Sequence, residues 1–396
     1  MTPLAPVLPT DPLGAAAARI AAATARPALQ QPDWPDPGRV SAVRRALALM
    51  PPLVAADEVD GLRTRLAEVA RGEALVVHGG DCAETFDGNT REHLLGNLAT
   101  LGAVADVLRG GATTPVVRIA RMAGQYAKPR SNSSDADGLP VYRGDIVNSA
   151  TGTRAARAAD PQRMLRAYAD AASVLDRIRT HPQEVFAGHE ALLLDYESAL
   201  VRRSTAGLYG GSGHFLWIGE RTRHVDGAHV ALLRLLDNPI GIKIGPGATP
   251  SEVLTYLGLL DPGRLPGRLS LIVRMGAERV AEALPPILAA VAATGHPVAW
   301  LCDPLHANTE TSASGLKTRR LDRVLAEVRA YAAAHRAART HPGGLHLELT
   351  GDDVTECVGG AVAPGDLADR YRTACDPRLN RPQAVEVAAV AAHEFG

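Results

Sequence analysis

The sequence predicts an α/β fold, a (β/α)8 TIM barrel with an N-terminal extension. Short apolar runs alternate with longer helical patterns from about residue 74 onward, and eight such runs can be read. Strands buried on both faces and separated by helices make a parallel sheet, and eight is the number that closes a barrel. An open doubly wound sheet is the alternative, but no GxGxxG follows the first run. The chain has 396 residues, more than the ~250 of a bare barrel. The excess falls in an N-terminal arm, a long connection over 120–190 and a tail after the eighth run.

Taken in order, residues 1–40 are rich in Ala and Pro, with a helical patch near 15–25. They read as a loosely attached arm and a candidate oligomer contact, ahead of a catalytic domain over 41–396. Residues 41–72 read as helical, interrupted by Pro51 and Pro52, because proline lacks the N–H that a helix interior needs. Strands are expected at 74–78, 115–119, 191–195, 214–218, 239–244, 269–273, 297–301 and 344–349. Helices are expected at 91–109, 161–179, 221–236, 250–260, 277–294 and 317–339, with a final one over 382–394.

Composition narrows the function. Acidic and basic residues nearly cancel, 43 against 42, so neither nucleic acid nor a membrane surface is an expected partner. Cys82, Cys302, Cys357 and Cys375 show no CxxC spacing. No basic residue precedes Arg19 and prolines break the N-terminus, which is unlike a signal peptide. No apolar run is long enough to span a bilayer, and a cytoplasmic protein is expected. Only Lys128, Lys243 and Lys317 are lysines. In so arginine-rich a chain, a retained lysine marks a place where a planar guanidinium does not suit the task.

Barrel enzymes place their chemistry just after the strands. The first run leads into VVHGGDCAETF over 76–86, where Gly79 and Gly80 allow a sharp turn and Asp81, Cys82 and Glu84 offer ligand atoms. Alone, Cys82 reads equally well as a small core hydrophobe. The second run leads to Arg121, Lys128, Arg130 and Ser131; the fourth to Glu220, Arg221 and Arg223; the fifth to Lys243; the sixth to Arg274. The seventh gives Asp303 and His306, the eighth Glu348, and the tail Asp376.

Two chemical sets separate. Cys82, His306, Glu348 and Asp376 supply a thiolate, an imidazole and two carboxylates, a mixture suited to Mn, Co, Fe or Zn. None has a local partner at HxxxH-type spacing, and each also has an ordinary reading: core thiol, turn histidine, surface acid, capping acid. Arg121, Arg221, Lys243 and Arg274 form the second set and imply a polyanionic ligand, against the usual fate of surface salt bridges. Together the sets suggest a phosphorylated, carboxylated substrate meeting an electrophile polarised by a metal. GGDC stands where a metal-dependent barrel hydrolase would carry HxH.

At these residues the chain resembles the class II 3-deoxy-D-arabino-heptulosonate 7-phosphate (DAHP) synthases. The likeness runs from QPDWPD at 31–36 to the C-terminus through GGDCAETF, RMAGQYAKPRS, YRGDIVN, WIGERTRHVDGAHV, GIKIGP, RMG, CDPLHANT, KTRRLDRVL, LTGDDVTEC and ACDPRLNRPQ. The resemblance implies a barrel that condenses phosphoenolpyruvate with erythrose 4-phosphate, the first step of the shikimate pathway. It implies a divalent metal, Mn2+ or Co2+ first and Zn2+ or Fe2+ next, on Cys82, His306, Glu348 and Asp376. Phosphoenolpyruvate would be held by Arg121, Glu220, Arg221, Lys243 and Arg274, with Lys128 near the reacting end, and the sugar phosphate by Arg130 and Ser131. Lys128 would donate a proton to the new alkoxide and Glu220 would position water.

His78, Leu305, Ala307, Gly247 and Ala248 stand where the family pattern has other residues. Only HPQEVFAG at 181–188 separates YADAASVLDRIRT from HEALLLDYE, where regulated members carry an extra helical pair. The chain is thus similar to short forms from antibiotic and phenazine clusters, which implies insensitivity to aromatic amino acids and a place in secondary metabolism. A homodimer is the expected assembly, with chorismate mutase or another shikimate enzyme as a candidate partner. Alternatives are a paralogue taking another aldehyde acceptor, such as an aminated tetrose phosphate, and a non-catalytic partner of a shikimate enzyme. Because Cys375 adjoins Asp376, a Cys82–Cys375 disulfide is expected in oxidised, metal-free protein.

Overall fold

A computed structural model describes residues 12–110, 114–135 and 137–396. Eight parallel strands close into a barrel: β1 (Leu75–Gly80), β2 (Val116–Arg121), β3 (Phe186–Glu190), β4 (Phe215–Ile218), β5 (Ile240–Ile244), β6 (Leu269–Val273), β7 (Ala299–Cys302) and β8 (Gly344–Glu348). Each strand pairs with its neighbours in sequence and β8 closes on β1, with Val76 opposite Gly344 and Gly80 opposite Glu348. Val76, Ile119, Phe186, Phe215, Trp217, Ile272 and Leu301 form one buried cluster. Side chains alternate along a strand, so this packing leaves Arg121 and Glu348, at the C-terminal ends of β2 and β8, for the mouth.

The third strand differs from the expectation. Residues 191–195 are not a strand; they run from a turn into the short helix Leu194–Ala199, and β3 is the preceding FAGHE. Leu192, Leu193 and Leu194 are apolar because they are buried, not because they pair in the sheet. The backbone there is satisfied by side chains: Gln31 Nε2 donates to the Leu192 carbonyl at 2.8 Å and Gln31 Oε1 accepts from Leu194 N at 3.0 Å. The true strand needs small residues, since a Cβ on Gly188 would lie 2.8 Å from the Phe215 carbonyl oxygen. That spacing demand removes the hydrophobic signal by which a strand is recognised.

The helices match more closely. Those ahead of the barrel are α1 (Pro12–Thr24), α2 (Pro37–Leu49) and α3 (Ala56–Ala70); α2 ends just before Pro51 and Pro52. Around the barrel lie α4 (Arg91–Arg109), α5 (Arg163–Arg179), α6 (Ala228–Leu233), α7 (Pro250–Leu260), α8 (Val280–Thr294) and α9 (Leu321–Ala338), and α10 (Arg381–Phe395) ends the chain. Two expected helices start late. Residues 221–227 are irregular and hold Arg221 and Arg223 at the mouth, and Lys317–Arg319 pairs with Thr309–Thr311 in a hairpin before α9. Of the expected arm, residues 1–11 lie outside the described residues. The rest is tied to the barrel: Trp34 Nε1 donates to Asp195 at 2.8 Å and Gln30 Oε1 accepts from Arg130 N at 2.8 Å.

Two glycines are fixed by close approach. Gly80 has φ of 150°, and a Cβ there would meet the Arg121 carbonyl oxygen at 2.9 Å. A Cβ on Gly351 would lie 2.1 Å from the carbonyl carbon of Gly96, backbone against backbone, where the tail after β8 crosses α4. Overpacking of this kind costs about 1–3 kcal/mol. Gly351→Ala is therefore expected to lower the thermal midpoint by about 1–4 °C. A midpoint equal to wild type in a calorimetric scan would show that the crossing can open freely.

Candidate metal centre and anion pocket

The site is built around Glu348, which is fully buried at the end of β8. Arg319 Nη2 lies 2.7 Å from Glu348 Oε2, and Arg121 Nη2, Lys128 Nζ and His306 Nε2 lie 3.2, 3.6 and 3.0 Å from Oε1. Burial would raise this carboxyl's pKa, but His306, Lys128 and Arg319 outweigh it and hold it well below the usual range. Cys82 Sγ and carboxylate oxygens of Glu348 and Asp376 lie within 4.8 Å of one another. The ammonium of Lys128 sits among them, 2.7 Å from Cys82 Sγ and 2.9 Å from Asp376 Oδ2.

A cation already occupies the middle of this donor set, which is the test of whether a metal would fit. It fits: a thiol and two carboxylates come together, a soft-to-hard mixture for a first-row divalent ion, while the expected fourth donor, His306, stands outside that group with Nε2 3.0 Å from Glu348 Oε1. His306 Nδ1 is held by Asp303 Oδ2 at 2.7 Å, the outer carboxylate contact typical of a ligating histidine. Burial, a Cys375 contact and Glu348 push the Cys82 thiol up, with the Lys128 ammonium opposing them.

Beside this cluster lies a cavity of about 210 Å3, lined by Arg121, Gln125, Lys128, Glu190, Trp217, Glu220, Arg221, Lys243, Arg274 and His306. Arg274 Nε, Glu190 Oε1 and Glu220 Oε2 are buried and have no hydrogen-bond partner among the described residues. Orphaned polar atoms around one cavity mark a place for a polar ligand. Lys243 bonds Asp303, but burial dominates and brings its pKa down to about 8. At the rim, Arg221 Nη2 donates to Ser131 Oγ at 2.9 Å and Lys317 Nζ to Asp376 Oδ1 at 2.8 Å. Arg130 is half-buried on the same loop.

The model of the class-II DAHP synthetase family matches residues 19–187 and 179–392. The chain belongs to that family. It is 45% identical, over 94% of each chain, to phospho-2-dehydro-3-deoxyheptonate aldolase AroG of Mycolicibacterium smegmatis. It is 46% identical to the phospho-2-dehydro-3-deoxyheptonate aldolase of Streptomyces coelicolor, covering 93% of this chain and 95% of the other. A probable phospho-2-dehydro-3-deoxyheptonate aldolase of Pseudomonas fluorescens is 43% identical over 90% of this chain and 93% of its own. The solved phospho-2-dehydro-3-deoxyheptonate aldolase of Francisella tularensis superimposes with a TM-score of 0.53 at 11% identity, covering 90% of this chain and 96% of that one. That likeness concerns the fold alone. By its family the chain is an enzyme, a 3-deoxy-7-phosphoheptulonate synthase.

Within this DAHP synthetase, the sequence-read residues gather at one mouth, with some reassignment. Of the three candidate donors after β1, only Cys82 joins the cluster. Asp81 turns away to Arg378, His93 and Asn97. Glu84 accepts the backbone N–H groups of Ala123, Gly124 and Gln125 at 3.0, 2.9 and 2.7 Å and so shapes the loop after β2. Burial pushes that carboxyl up to about 7. Glu190 was missed because strand three was misplaced. Arg319 lay inside the recognised KTRRLDRVL motif, but its reach to Glu348 has no local signal.

Cys375 contacts Cys82 within a small buried cluster that includes Tyr142. Cys82→Ser is expected to lower the metal retained after dialysis at least tenfold, because an alcohol is a far weaker soft donor. Elemental analysis of the dialysed protein reads this directly. Peroxide treatment of metal-stripped protein should join Cys82 to Cys375 and remove two free thiols per chain. Equal thiol loss in Cys375→Ser would count against the pairing.

Proposed function

We propose that the chain condenses phosphoenolpyruvate with D-erythrose 4-phosphate, giving DAHP and phosphate. The observation that carries this reading is the cavity that joins Arg121, Arg221, Lys243 and Arg274 to Lys128, His306 and Asp376 in a class-II DAHP synthetase chain. A divalent metal, Mn2+ or Co2+ first and Zn2+ or Fe2+ next, would be held by Cys82, His306, Glu348 and Asp376. When bound it would supply Lewis acidity toward the acceptor aldehyde.

The chain's own residues then divide the work. Arg121, Arg221, Lys243 and Arg274 hold the carboxylate and phosphate of phosphoenolpyruvate, so that C3 faces the aldehyde carbon. Arg130 and Ser131 hold the phosphate of the sugar. C3 attacks the aldehyde carbon, and Lys128 Nζ gives a proton to the alkoxide oxygen that results. Burial works against the Lys128 ammonium, but Asp376, Cys82 and Glu348 raise its pKa and favour the charged form that carries the proton. Glu220 positions the water that adds at C2, and phosphate leaves with cleavage of the C2–O bond. Its neighbour Arg223 Nη2 donates to Glu220 Oε1 at 2.9 Å, which leaves Oε2 for that water.

Regulation and context extend the proposal. Only residues 180–185 connect α5 to β3, so this enzyme has no room there for an added helical pair. We take it to be insensitive to Phe, Tyr and Trp and to serve secondary metabolism.

Phosphoenolpyruvate loss in the presence of erythrose 4-phosphate should vanish on chelation and return on metal add-back. Turnover only with an aminated tetrose phosphate would redirect the acceptor half of the reading. Strong inhibition by any aromatic amino acid, alone or combined, would refute the regulatory part. A pH dependence follows from Lys243: its charge is lost as pH rises through about 8, and the lost charge is one that attracts the anion. KM for phosphoenolpyruvate should therefore climb above that pH, and a KM flat to pH 9.5 would show that Lys243 does not bear on the anion.

A further inference from the structure

Arg121 is the most buried cation of the anion cavity, at 2% exposure. Its guanidinium carries five N–H donors and no acceptor. Nε donates to the Asp81 carbonyl at 3.0 Å, and Nη2 to the Cys82 carbonyl at 3.3 Å and Glu348 Oε1 at 3.2 Å. Nη1 donates to Nε2 of His346 at 2.6 Å. Four of the five donors are thereby used, which leaves one N–H on Nη1 for a ligand.

The contact with His346 fixes a chain of protons. Because arginine can only donate, Nε2 of His346 must be bare, and the ring carries its proton on Nδ1. That Nδ1 lies 2.9 Å from Nδ1 of His78, which must then accept. The proton of His78 is left on Nε2, an atom with no polar partner among the described residues. Phe215 and Trp217 pack against the His78 ring in T-shaped pairs, with centroids 5.2 and 4.9 Å away. Trp217 also lies beneath the Arg121 guanidinium, 5.0 Å from its ring centre.

The pairing is built into the sheet. His78 and His346 are register partners on β1 and β8, and Arg121 stands opposite Gly80 one inward position above. Both imidazoles are fully buried. Arg121 already meets one carboxylate, Glu348. A neutral imidazole at 346 holds the guanidinium without adding a second negative charge beside it.

We propose that His346, backed by His78, is a positioning residue: a one-way run of hydrogen bonds from Arg121 to His346 to His78 orients the guanidinium that takes the anion. The inference rests on the reading of the cavity as the phosphoenolpyruvate site and adds how its deepest cation is set.

The test combines phosphoenolpyruvate titration calorimetry on wild type, His346→Leu and His346→Gln with 15N spectra of histidine-labelled wild type. His346→Leu should weaken phosphoenolpyruvate binding about tenfold to a hundredfold, the size expected when a charge-assisted hydrogen bond is lost. His346→Gln supplies an amide oxygen for Arg121 and an NH2 for His78, and should stay within about threefold of wild type. In turnover, KM for phosphoenolpyruvate should rise in His346→Leu while KM for erythrose 4-phosphate holds. The spectra should show His346 with its proton on Nδ1 and His78 with its proton on Nε2. They need no variant, so the run is tested even where His346→Leu does not fold. The proposal is overturned by wild-type affinity in His346→Leu, by equal losses in the Leu and Gln variants, or by a proton on Nε2 of His346. Wild type that binds no phosphoenolpyruvate while showing these tautomers overturns the reading of the cavity, and with it the role given to Arg121.

Discussion

One buried carboxylate governs the mouth of this barrel. Glu348 has no exposure, and a lone ionised carboxylate cannot persist in such a place. It is kept charged by Arg121, Lys128, His306 and Arg319, which arrive from three different parts of the chain. Each of these groups then has a second partner. Lys128 reaches Cys82 and Asp376, His306 reaches Asp303, and Arg121 reaches His346. The cluster around Cys82 and Asp376 and the cavity beside it therefore share a wall, and a shift in Glu348 would disturb both.

Closure of the barrel makes this sharing feasible. Pairing of β8 with β1 sets Glu348 beside Gly80, and pairing of β1 with β2 sets Gly80 beside Arg121. Gly80 has no side chain, so the two charged groups can meet across it. The loops do the remainder. Glu84 gathers three consecutive backbone N–H groups after β2, and that turn carries the chain on to Lys128. The arm contributes through Gln30, Gln31 and Trp34, which bind the loops after β2 and β3.

The misplaced third strand shows where pattern reading fails. LLLD has the composition of a buried strand, whereas FAGHE has the small and polar residues of a loop. The tight approach of Gly188 to Phe215 reverses those appearances. The same error hid Glu190, which stands at the end of the true strand with an unpartnered oxygen in the cavity. Asp81 and Glu84 offer ligand atoms beside Cys82 in sequence. In space Arg378 and a row of backbone donors claim them first.

The sequence by itself determined the barrel, the order of its strands, and the gathering of Cys82, Lys128, Lys243, His306, Glu348 and Asp376 at one end. Hydrophobic period and strand-end placement are local properties, and both can be read along the chain. Only the tertiary structure decided which charges touch. The reach of Arg319 to Glu348, the three amides on Glu84 and the line from Arg121 through His346 to His78 all join residues far apart in sequence. Those contacts depend on strand register and on the direction of each side chain, and neither is written in any short stretch of residues.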